Sequence, residues 1–382
     1  MNKLPEDWEI KKLKDIGNVY TGITPPTSDK ENFGNEHLFV TSADIKENKY
    51  IFNSIRKLSN KGFEKTKKFK KGDILYVCIG SIGKIALAKT DFSCNQQINV
   101  LRVNKEIDNE FIYYQLMNSF PYISKFISKR VVPIMNKTTF ENLEISLPSL
   151  DEQKRIASAL SKIDAYLENT IKLIEEKERF KRGIAKKLLT CKEGENIPEA
   201  RFKGFEDEWE TVMLGDILSY EQPKDYIVKS EEYNNKYKYP VLTAGKTFIL
   251  GYTNEEFGIY NKLPVIIFDD FTTDAQYVDF PFKVKSSAIK ILKSKYYNTK
   301  LIYELIKNIK FNARTHKRYY ISEYQYLKIK IPKSIKEQED ISGYLSLLDK
   351  EIDNLKKQKE LIKEMKRGAM QKLLSGEVRL LE

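Results

Sequence analysis

DEQKRIASALSKID, which spans Asp151–Asp164, occurs a second time in altered form as KEQEDISGYLSLLD, which spans Lys336–Asp349. The two stretches align without a gap, with position 151 opposite position 336, so the offset is 185 residues. A Glu-Gln pair, an isoleucine, a leucine and the closing aspartate coincide in the two copies. Because both copies open a long, charged, amphipathic segment, they indicate a duplicated unit built around a helix.

The sequence on either side of both copies is repeated as well. LEISLP at Leu143–Pro148 precedes the first copy, and LKIKIP at Leu327–Pro332 precedes the second. Each alternates apolar and polar residues and stops at a proline, which predicts a short strand. Downstream, FKRGIAKKLLT at Phe180–Thr190 matches MKRGAMQKLLS at Met365–Ser375. The strand and the helix are therefore duplicated together.

Each half of the chain begins with a similar opening motif that contains one of the only two tryptophans, Trp8 or Trp209. The segments between each tryptophan and the repeated strand, which we call body one and body two, show no convincing alignment with each other. KGDILYVCIGSIGKIALAK at Lys71–Lys89 predicts two strands around a glycine turn, and KLPVIIFDDFTTDAQYVDFPFKV at Lys262–Val284 predicts strands joined by a polar loop. We therefore predict two α+β bodies.

Each body is followed by a segment with a heptad-like apolar seam. The predicted helix-pairing residues are Ile156, Leu160, Ile163, Leu167 and Ile174 in the first segment and Ile341, Leu345, Leu348, Ile352 and Leu355 in the second. A helix of about forty residues is roughly 60 Å long, which is too long to lie on one small domain. We therefore expect the two seams to pack against each other as an antiparallel, pseudo-twofold coiled coil between the bodies. The alternative is that each helix folds back on its own body.

The composition favours a polyanionic partner. The chain of 382 residues has a formal net charge of +12 and a pI near 9.1, and a basic excess attracts phosphates and releases their counterions. A lysine-rich composition without a nucleic-acid ligand is the alternative. The three cysteines lack C-x-x-C spacing, which favours a reducing cytoplasm over a disulfide framework. The apolar runs are too short to span a membrane, and the first residues lack the apolar core of a signal peptide.

Motifs for catalysis or metal binding are missing from the sequence or incomplete. The two histidines, His37 and His316, have no metal-ligand spacing around them. IGSIGK and AGKT each lack the first glycine of a phosphate-binding loop, and no methyltransferase or dinucleotide motif is present. Asp269 and Asp270 carry metal-ligating groups, but a hydrogen-bonded polar loop is the favoured interpretation. We therefore predict that the chain is not an enzyme and holds no metal or cofactor.

Polar and basic loops are the best candidates for contacts with nucleic acid. Amide side chains cluster in SCNQQIN, and such amides form bidentate hydrogen bonds with adenine in the major groove; a self-satisfied cluster at a strand edge is the alternative. SKRVVPIMNKTT and ARTHKRYY occupy equivalent places ahead of the repeated strands, and their basic residues suit phosphates. The candidate DNA-binding residues are Lys84, Asn95, Gln96, Gln97, Asn99, Arg130, Asn136, Lys137, Thr138, Lys246, Thr272, Thr273, Arg314, Lys317 and Arg318.

With these features together, the chain resembles the specificity subunit of a type I restriction–modification enzyme over essentially its whole length. The motifs that carry the resemblance are LPEDWEIKKLKDI, LEISLPSLDEQKRIASALSKID and LKIKIPKSIKEQEDISGYLSLLD. The repeated order of strand, proline, Glu-Gln pair and helix is specific at this separation. The resemblance implies target-recognition domains at 1–150 and 196–334, a central spacer helix at 151–195 and a distal spacer helix at 335–382.

The resemblance also implies a function and partners. Each recognition domain would read one half of a bipartite site in double-stranded DNA, while the helices set the spacing. The subunit itself would be non-catalytic. Two methyltransferase subunits would bind it, and motor-nuclease restriction subunits would join through them. S-adenosylmethionine, ATP and magnesium would belong to those partners. A protein-only coiled-coil scaffold that spaces two adaptor domains is the alternative function.

Overall fold

The computed structural model describes residues 4–46, 48–127, 132–243, 247–309, 311, 313 and 317–381. The chain divides into two compact units. Unit one comprises residues 1–173 and 356–382, and unit two comprises residues 174–355. Each unit therefore contains one body together with a part of each long helix.

The described part of unit one contains three sheets. Its strands are β1 Glu9–Lys12, β2 Gly17–Thr21, β3 Phe33–Val40, β4 Tyr50–Ile51, β5 Arg56–Leu58, β6 Ile74–Val77, β7 Ile85–Ala88, β8 Ser93–Cys94, β9 Ile98–Val103 and β10 Glu144–Leu147. The sheet orders are β2-β9-β6-β7-β4, β5-β3-β8 and β1-β10. Its helices are α1 Leu13–Ile16, α2 Asn60–Glu64, α3 Asn109–Asn118, α4 Phe120–Ile123, α5 Lys137–Glu141, the first part of α6 Leu150–Leu189 and the last part of α9 Ile335–Leu374.

Unit two likewise has three sheets among its described residues. Its strands are β11 Glu210–Met213, β12 Leu218–Glu221, β13 Tyr239–Leu242, β14 Ile249–Thr253, β15 Val265–Asp269, β16 Ala275–Val278, β17 Lys283–Val284, β18 Ile289–Ser294 and β19 Lys328–Ile331. The sheet orders are β12-β18-β15-β16, β14-β13-β17 and β11-β19. Its helices are the last part of α6, α7 Leu214–Ile217, α8 Thr299–Asn308 and the first part of α9.

The two bodies share one topology apart from β4, which body one alone has among the described residues, although their sequences show no convincing alignment. The order β2-β9-β6-β7 corresponds to β12-β18-β15-β16, and β5-β3-β8 corresponds to β14-β13-β17. The two-residue strands β8 and β17 each run parallel to their neighbours β3 and β13. Backbone hydrogen bonds define this topology, and many apolar side chains fit its buried faces, so the sequences can differ widely within one arrangement.

The repeated strand closes each body against its opening motif. β10 pairs antiparallel with β1, and β19 pairs antiparallel with β11. Alternate residues of these strands are buried, namely Ile145 and Leu147 in β10 and Ile329 and Ile331 in β19. The short strands predicted from the alternating pattern are present, and their apolar residues form the buried face. The tryptophan of each opening motif is buried in the same hydrophobic cluster as this strand.

The long helices run antiparallel. Within unit one, the start of α6 shares a hydrophobic cluster with the end of α9, and within unit two the end of α6 shares one with the start of α9. Lys366 Nζ lies 2.6 Å from Asp164 Oδ1, and Lys181 Nζ lies 2.5 Å from Asp349 Oδ1. The two ion pairs are equivalent at the 185-residue offset, which makes the helix pair pseudo-twofold. The predicted α+β fold with an antiparallel, pseudo-twofold helix pair is confirmed.

The seam residues at each helix start pack on two neighbours at once. Ile156 and Leu160 lie in one cluster with residues of body one and with Met370 of α9. Ile341 and Leu345 lie in one cluster with residues of body two and with the end of α6. At its start, each long helix therefore packs both against the other helix and against its own body. The two arrangements that the sequence offered as alternatives occur together there. The remaining seam residues are buried at Ile174, Leu348 and Ile352 and partly buried at Ile163, Leu167 and Leu355.

The repeated Glu-Gln pair fastens the start of α9 to body two. Glu337 is buried and accepts hydrogen bonds from Arg201 Nε (2.7 Å) and Trp209 Nε1 (3.2 Å). Gln338 Oε1 accepts from the N–H of Asn298 (2.8 Å), which is the N-cap residue of α8. The Glu337 carboxylate therefore binds the segment that follows α6, and the Gln338 amide binds body two at the start of α8.

The same pair has an equivalent arginine and an equivalent N-cap partner in unit one, although Trp8 Nε1 makes no bond to Glu152. Glu152 accepts from Arg379 Nε (2.7 Å) and Nη2 (2.8 Å). Gln153 Oε1 accepts from the N–H of Asp108 (3.0 Å), the N-cap residue of α3. In each unit, an arginine that follows one long helix binds the start of the other. The motif thus joins both helices to one body.

Candidate nucleic-acid interface

In unit one, two turns and a segment meet where β6 ends and β9 begins. The Cys78 N–H donates to the Gln97 carbonyl (2.8 Å), and the Met135 N–H donates to the Cys78 carbonyl (2.9 Å). The Asn95 N–H donates to the Val40 carbonyl at the end of β3 (3.1 Å). These bonds join the β6–β7 turn, the β8–β9 turn and the segment that leads to α5. Loop cluster one comprises residues 78–84, 95–97 and 132–136.

The predicted contact residues of loop cluster one already have local hydrogen bonds. Lys84 is exposed, and its Nζ donates to a carbonyl in the loop after β3 (3.0 Å). Gln96 is exposed, and its Oε1 accepts from the hydroxyl of Thr24 (2.6 Å). Asn95 Nδ2 donates to Gln97 Oε1 (2.9 Å). These side chains are therefore ordered before any ligand binds, which lowers the entropic cost of a contact.

Asn99, which the sequence also suggested as a DNA contact, lies beneath this cluster. It is 3% exposed. Its Nδ2 donates to Cys78 Sγ (3.2 Å), and its Oδ1 accepts from Thr21 Oγ1 (2.8 Å). Because the amide is buried and both of its polar atoms are bonded within the body, Asn99 supports the cluster from inside and presents no surface to a base.

The candidates around α5 are exposed. Asn136 is the N-cap residue of α5, and its side-chain oxygen accepts from the backbone N–H three residues further on (2.8 Å). Lys137 Nζ lies 3.2 Å from Glu141 Oε1, and because Lys137 is exposed a phosphate can replace this pair at little cost. Thr138 is exposed in the first turn of α5. Arg130 lies outside the described residues.

Unit two forms an equivalent cluster with the same backbone bonds. The Asp270 N–H donates to the Ala288 carbonyl (3.2 Å), and the Tyr319 N–H donates to the Asp270 carbonyl (2.9 Å). The Lys285 N–H donates to the Leu242 carbonyl at the end of β13 (2.8 Å). Each bond has its counterpart in unit one at the same place in the topology. Loop cluster two comprises residues 270–274, 285–288 and 317–320.

The β15–β16 turn of loop cluster two contains two predicted contacts. Thr272 is exposed at its tip. Thr273 has a φ of 63°, a left-handed conformation that costs a non-glycine residue about 1–2 kcal/mol. Its N–H donates to the Asp269 carbonyl (2.9 Å), which holds the turn closed. Two further candidates, Lys246 and Arg314, lie outside the described residues.

The basic segment of loop cluster two lies beside this turn. Arg318 is exposed, and its guanidinium carbon lies 5.9 Å from the centre of the Phe271 ring. Lys317 is exposed and forms an ion pair with Glu323. The structure therefore places the predicted contact Arg318 beside the turn that carries Thr272.

Sequence reasoning missed the β17–β18 turn. Ser286 and Ser287 are exposed there, at the place that Asn95–Gln97 occupy in loop cluster one. Two serines carry no signal of their own in a sequence. The equivalence becomes visible only when β17 is known to pair with β13, as β8 pairs with β3.

The two clusters offer hydrogen-bond donors, acceptors and cations, which suit base edges and phosphates. Burial raises the pKa of the Cys78 thiol to about 12, so the thiol stays protonated and weakly nucleophilic at neutral pH. Asp269 accepts from the Phe271 N–H (2.8 Å), and Asp270 lies 3.2 Å from Lys290 Nζ, so both carboxylates serve the loop itself. Over the described residues, no group of three or more His, Cys, Asp or Glu side chains is placed to hold a metal ion.

Among the described residues, no helix is both long enough and apolar enough to cross a lipid bilayer.

Comparison with known proteins identifies relatives of both halves. A family model described as the type I restriction modification DNA specificity domain matches residues 5–176 and 206–364. The specificity subunit of the type I restriction enzyme EcoR124I/EcoR124II of Escherichia coli is 51% identical over 141 residues, which cover 35% of this chain and 34% of that protein. The MjaIX specificity subunit of Methanocaldococcus jannaschii is 28% identical over 417 aligned positions, which cover 100% of this chain and 96% of that protein.

Two solved structures have a similar fold. The crystal structure of a type I restriction–modification S subunit from M. genitalium matches with a TM-score of 0.66 and 20% identity, over 98% of this chain and 97% of that chain. A chain from a structure that addresses complex assembly and conformational transition of the type I R-M system matches with a TM-score of 0.58 and 15% identity, over 99% of this chain and 100% of that chain. At these identities the likeness concerns the fold.

Proposed function

Because this chain belongs to the type I restriction–modification DNA specificity family, we propose that each loop cluster reads one half of a bipartite site in double-stranded DNA. The observation that carries the proposal is the equivalence of the two clusters, in which the same backbone hydrogen bonds hold different side chains. Cluster one presents amides and a lysine, whereas cluster two presents hydroxyls and an arginine. Amides suit adenine, and arginine suits guanine or phosphate. The two half-sites therefore differ, and the site is asymmetric.

The long helices set the distance between the half-sites. α6 and α9 have 40 residues each, which corresponds to about 60 Å at 1.5 Å per residue. α6 starts where body one ends and stops shortly before body two, so its length determines how many helical residues separate the two readers. One added heptad lengthens a helix by about 10.5 Å, roughly three base pairs of DNA.

Two methyltransferase subunits dock on this chain at two equivalent surfaces, and restriction subunits join through them. The pseudo-twofold helix pair supports this stoichiometry, since equivalent surfaces bind copies of one partner. Phe180 and Met365 are equivalent at the 185-residue offset, and they are 52% and 49% exposed on the helices; large exposed apolar side chains favour protein contacts. S-adenosylmethionine, ATP and magnesium belong to those partners. The chain acts in the cytoplasm, a location that suits a function on DNA and three cysteines without a disulfide.

Exchange of one body tests this function. The chain is produced with a methyltransferase subunit of its family, and residues 196–334 are replaced by the corresponding body of a relative. Sequencing of methylated bases should show one half-site changed, with the other half-site and the gap preserved. The matched control replaces residues 1–150 and should change only the other half-site. A change of both half-sites by either exchange would contradict two independent readers.

DNA binding itself separates this function from a protein-only scaffold. In a gel-shift assay with a pool of random double-stranded sequences, the chain with its partner should retain DNA at low salt. Affinity should fall at least roughly a hundredfold between 50 and 200 mM salt, because several phosphate contacts release counterions. No retention at low salt would favour the scaffold.

A further inference from the structure

We propose that one buried side-chain pair in each body is the positioning device of its loop cluster: Asp270 with Lys290 in unit two, and Cys78 with Asn99 in unit one. The inference rests on the proposed function, since it assigns positioning residues to the same two reading surfaces. The four residues are between 1% and 3% exposed. They cannot touch DNA, and so they act through the exposed side chains around them.

Asp270 is bonded to every part of loop cluster two. Its N–H donates to the Ala288 carbonyl (3.2 Å), and its carbonyl accepts from the Tyr319 N–H (2.9 Å). Its Oδ1 accepts from the Tyr320 N–H (2.8 Å), and its Oδ2 lies 3.2 Å from Lys290 Nζ. One residue thereby joins the β15–β16 turn, the turn before β18, β18 itself and the segment that leads to β19.

Cys78 and Asn99 occupy the same places in unit one. Cys78 directly follows β6, as Asp270 directly follows β15, and Asn99 and Lys290 are the second residues of β9 and β18. Asn99 Nδ2 donates to Cys78 Sγ (3.2 Å). The two pairs are therefore equivalent in position and differ in chemistry, because one is a neutral thiol and amide and the other is a carboxylate and an ammonium group.

Because the two pairs differ in charge, one residue of a pair cannot be replaced alone by its counterpart from the other body. A buried ammonium group is tolerated only with an opposite charge beside it, and Asp270 supplies that charge for Lys290. Lys290 Nζ also lies 4.8 Å from the centre of the Tyr220 ring. Loss of the Asp270 charge leaves the ammonium group uncompensated and weakens the bond to the Tyr320 N–H. The turn and the basic segment then lose the group that fixes them to each other.

Three variants test the pair in the complete complex with its methyltransferase subunits. Asp270→Asn removes the charge at constant shape. The double variant Asp270→Cys with Lys290→Asn gives body two the pair of body one. Asn99→Leu breaks the pair of body one. Methylation rates are measured on the cognate site and on sites with one base changed in either half, which gives a discrimination ratio for each half-site.

D270N should lower discrimination in the half-site read by body two roughly tenfold, the size of one lost base contact, and leave the other half-site unchanged. N99L should have the reverse effect. The double variant should stay within about threefold of the wild type, because its buried pair is again neutral and hydrogen-bonded. A merely structural role would lower the rate on every site and leave both ratios unchanged.

Wild-type discrimination in D270N, or an equal loss in both half-sites, would overturn the proposal. If D270N does not fold, the double variant decides: preserved discrimination supports the proposal, and a tenfold loss or failure to fold overturns it. A wild-type complex that shows no two-part selectivity would instead refute the proposed function. Normal wild-type selectivity with an unaffected D270N would refute the positioning pair alone.

Discussion

Substitution of Glu337 by glutamine tests how the repeated Glu-Gln motif holds unit two. Glu337 is 1% exposed. Its Oε1 accepts from Arg201 Nε (2.7 Å) and Trp209 Nε1 (3.2 Å), and its Oε2 accepts from Arg201 Nη2 (2.8 Å). E337Q preserves the shape of the side chain. It removes the charge, however, and replaces one acceptor by an N–H₂ group that faces a guanidinium donor.

The expected loss of unfolding free energy is about 3 kcal/mol. Removal of one partner from a buried ion pair costs about 3–5 kcal/mol. The value for E337Q lies at the lower end, because the Arg201 side chain is 12% exposed and keeps a bond to the Asp207 carbonyl (2.7 Å). For a unit of this size, about 2–4 °C per kcal/mol converts the loss into a fall in Tm of roughly 6–12 °C.

Urea unfolding and differential scanning calorimetry of the full chain measure this loss. The matched control is Glu339→Gln, which changes an exposed glutamate two positions further along the same helix and should stay within about 0.5 kcal/mol of the wild type. Glu152→Gln in unit one should cost less than E337Q, because Arg379 keeps its bonds to Asp7. A loss below about 1 kcal/mol for E337Q, or equal losses in E337Q and the control, would refute this reasoning.

Other contacts of unit one give shorter tests. Lys366→Asp places a second carboxylate beside Asp164 and should destabilise the unit, and addition of Asp164→Lys should restore much of the stability; a double-mutant cycle without coupling would contradict the helix register. Burial alone would raise the pKa of Glu110, but hydrogen bonds from Lys49 and two hydroxyls hold it below its usual value. The stability that Glu110 contributes is therefore present above about pH 4.5 and is lost as the pH falls through the folded pKa. Glu110→Gln should flatten the decline of unfolding free energy between about pH 5 and pH 3, and an unchanged slope would count against this assignment. Lys84→Ala should lower the slope of log affinity against log salt by about 1 if Lys84 binds a phosphate, and an unaltered slope would exclude that contact.

The architecture was predictable because the contacts that define it recur in the sequence. Asp164 and Asp349 lie 185 positions apart, as do their partners Lys181 and Lys366. A pseudo-twofold helix pair requires that both residues of each ion pair recur at the same offset. The sequence repeat and the register of the two helices are therefore parts of one pattern. The resemblance to a type I specificity subunit is confirmed by the family match to both halves.

The common topology of the bodies was not predictable from the sequence. Its strands are short, and the strands β8 and β17 have only two residues each. Such strands are defined by pairing with distant segments, and residues that satisfy a half-buried face are largely interchangeable. The bodies therefore keep the same backbone hydrogen bonds while their side chains diverge.

The exposure of the candidate contacts was predictable only in part, because residue type does not reveal which way a side chain points. Gln96 and Lys84 are exposed on loop cluster one, as a reading role requires, and their contacts with DNA remain predictions. Asn99 has the same amide chemistry but sits one residue inside β9 and is buried. Asp270 and Lys290 are 20 positions apart in the sequence, and only the fold brings them together.

Sequencing of methylated bases in a host that carries this chain with its methyltransferase partner tests the central claim most directly. Two readers at a fixed distance predict one asymmetric motif, made of two short specified halves that are separated by a gap of constant length. Methylation at a continuous motif, at a symmetric palindrome or at halves with a variable gap would contradict that account.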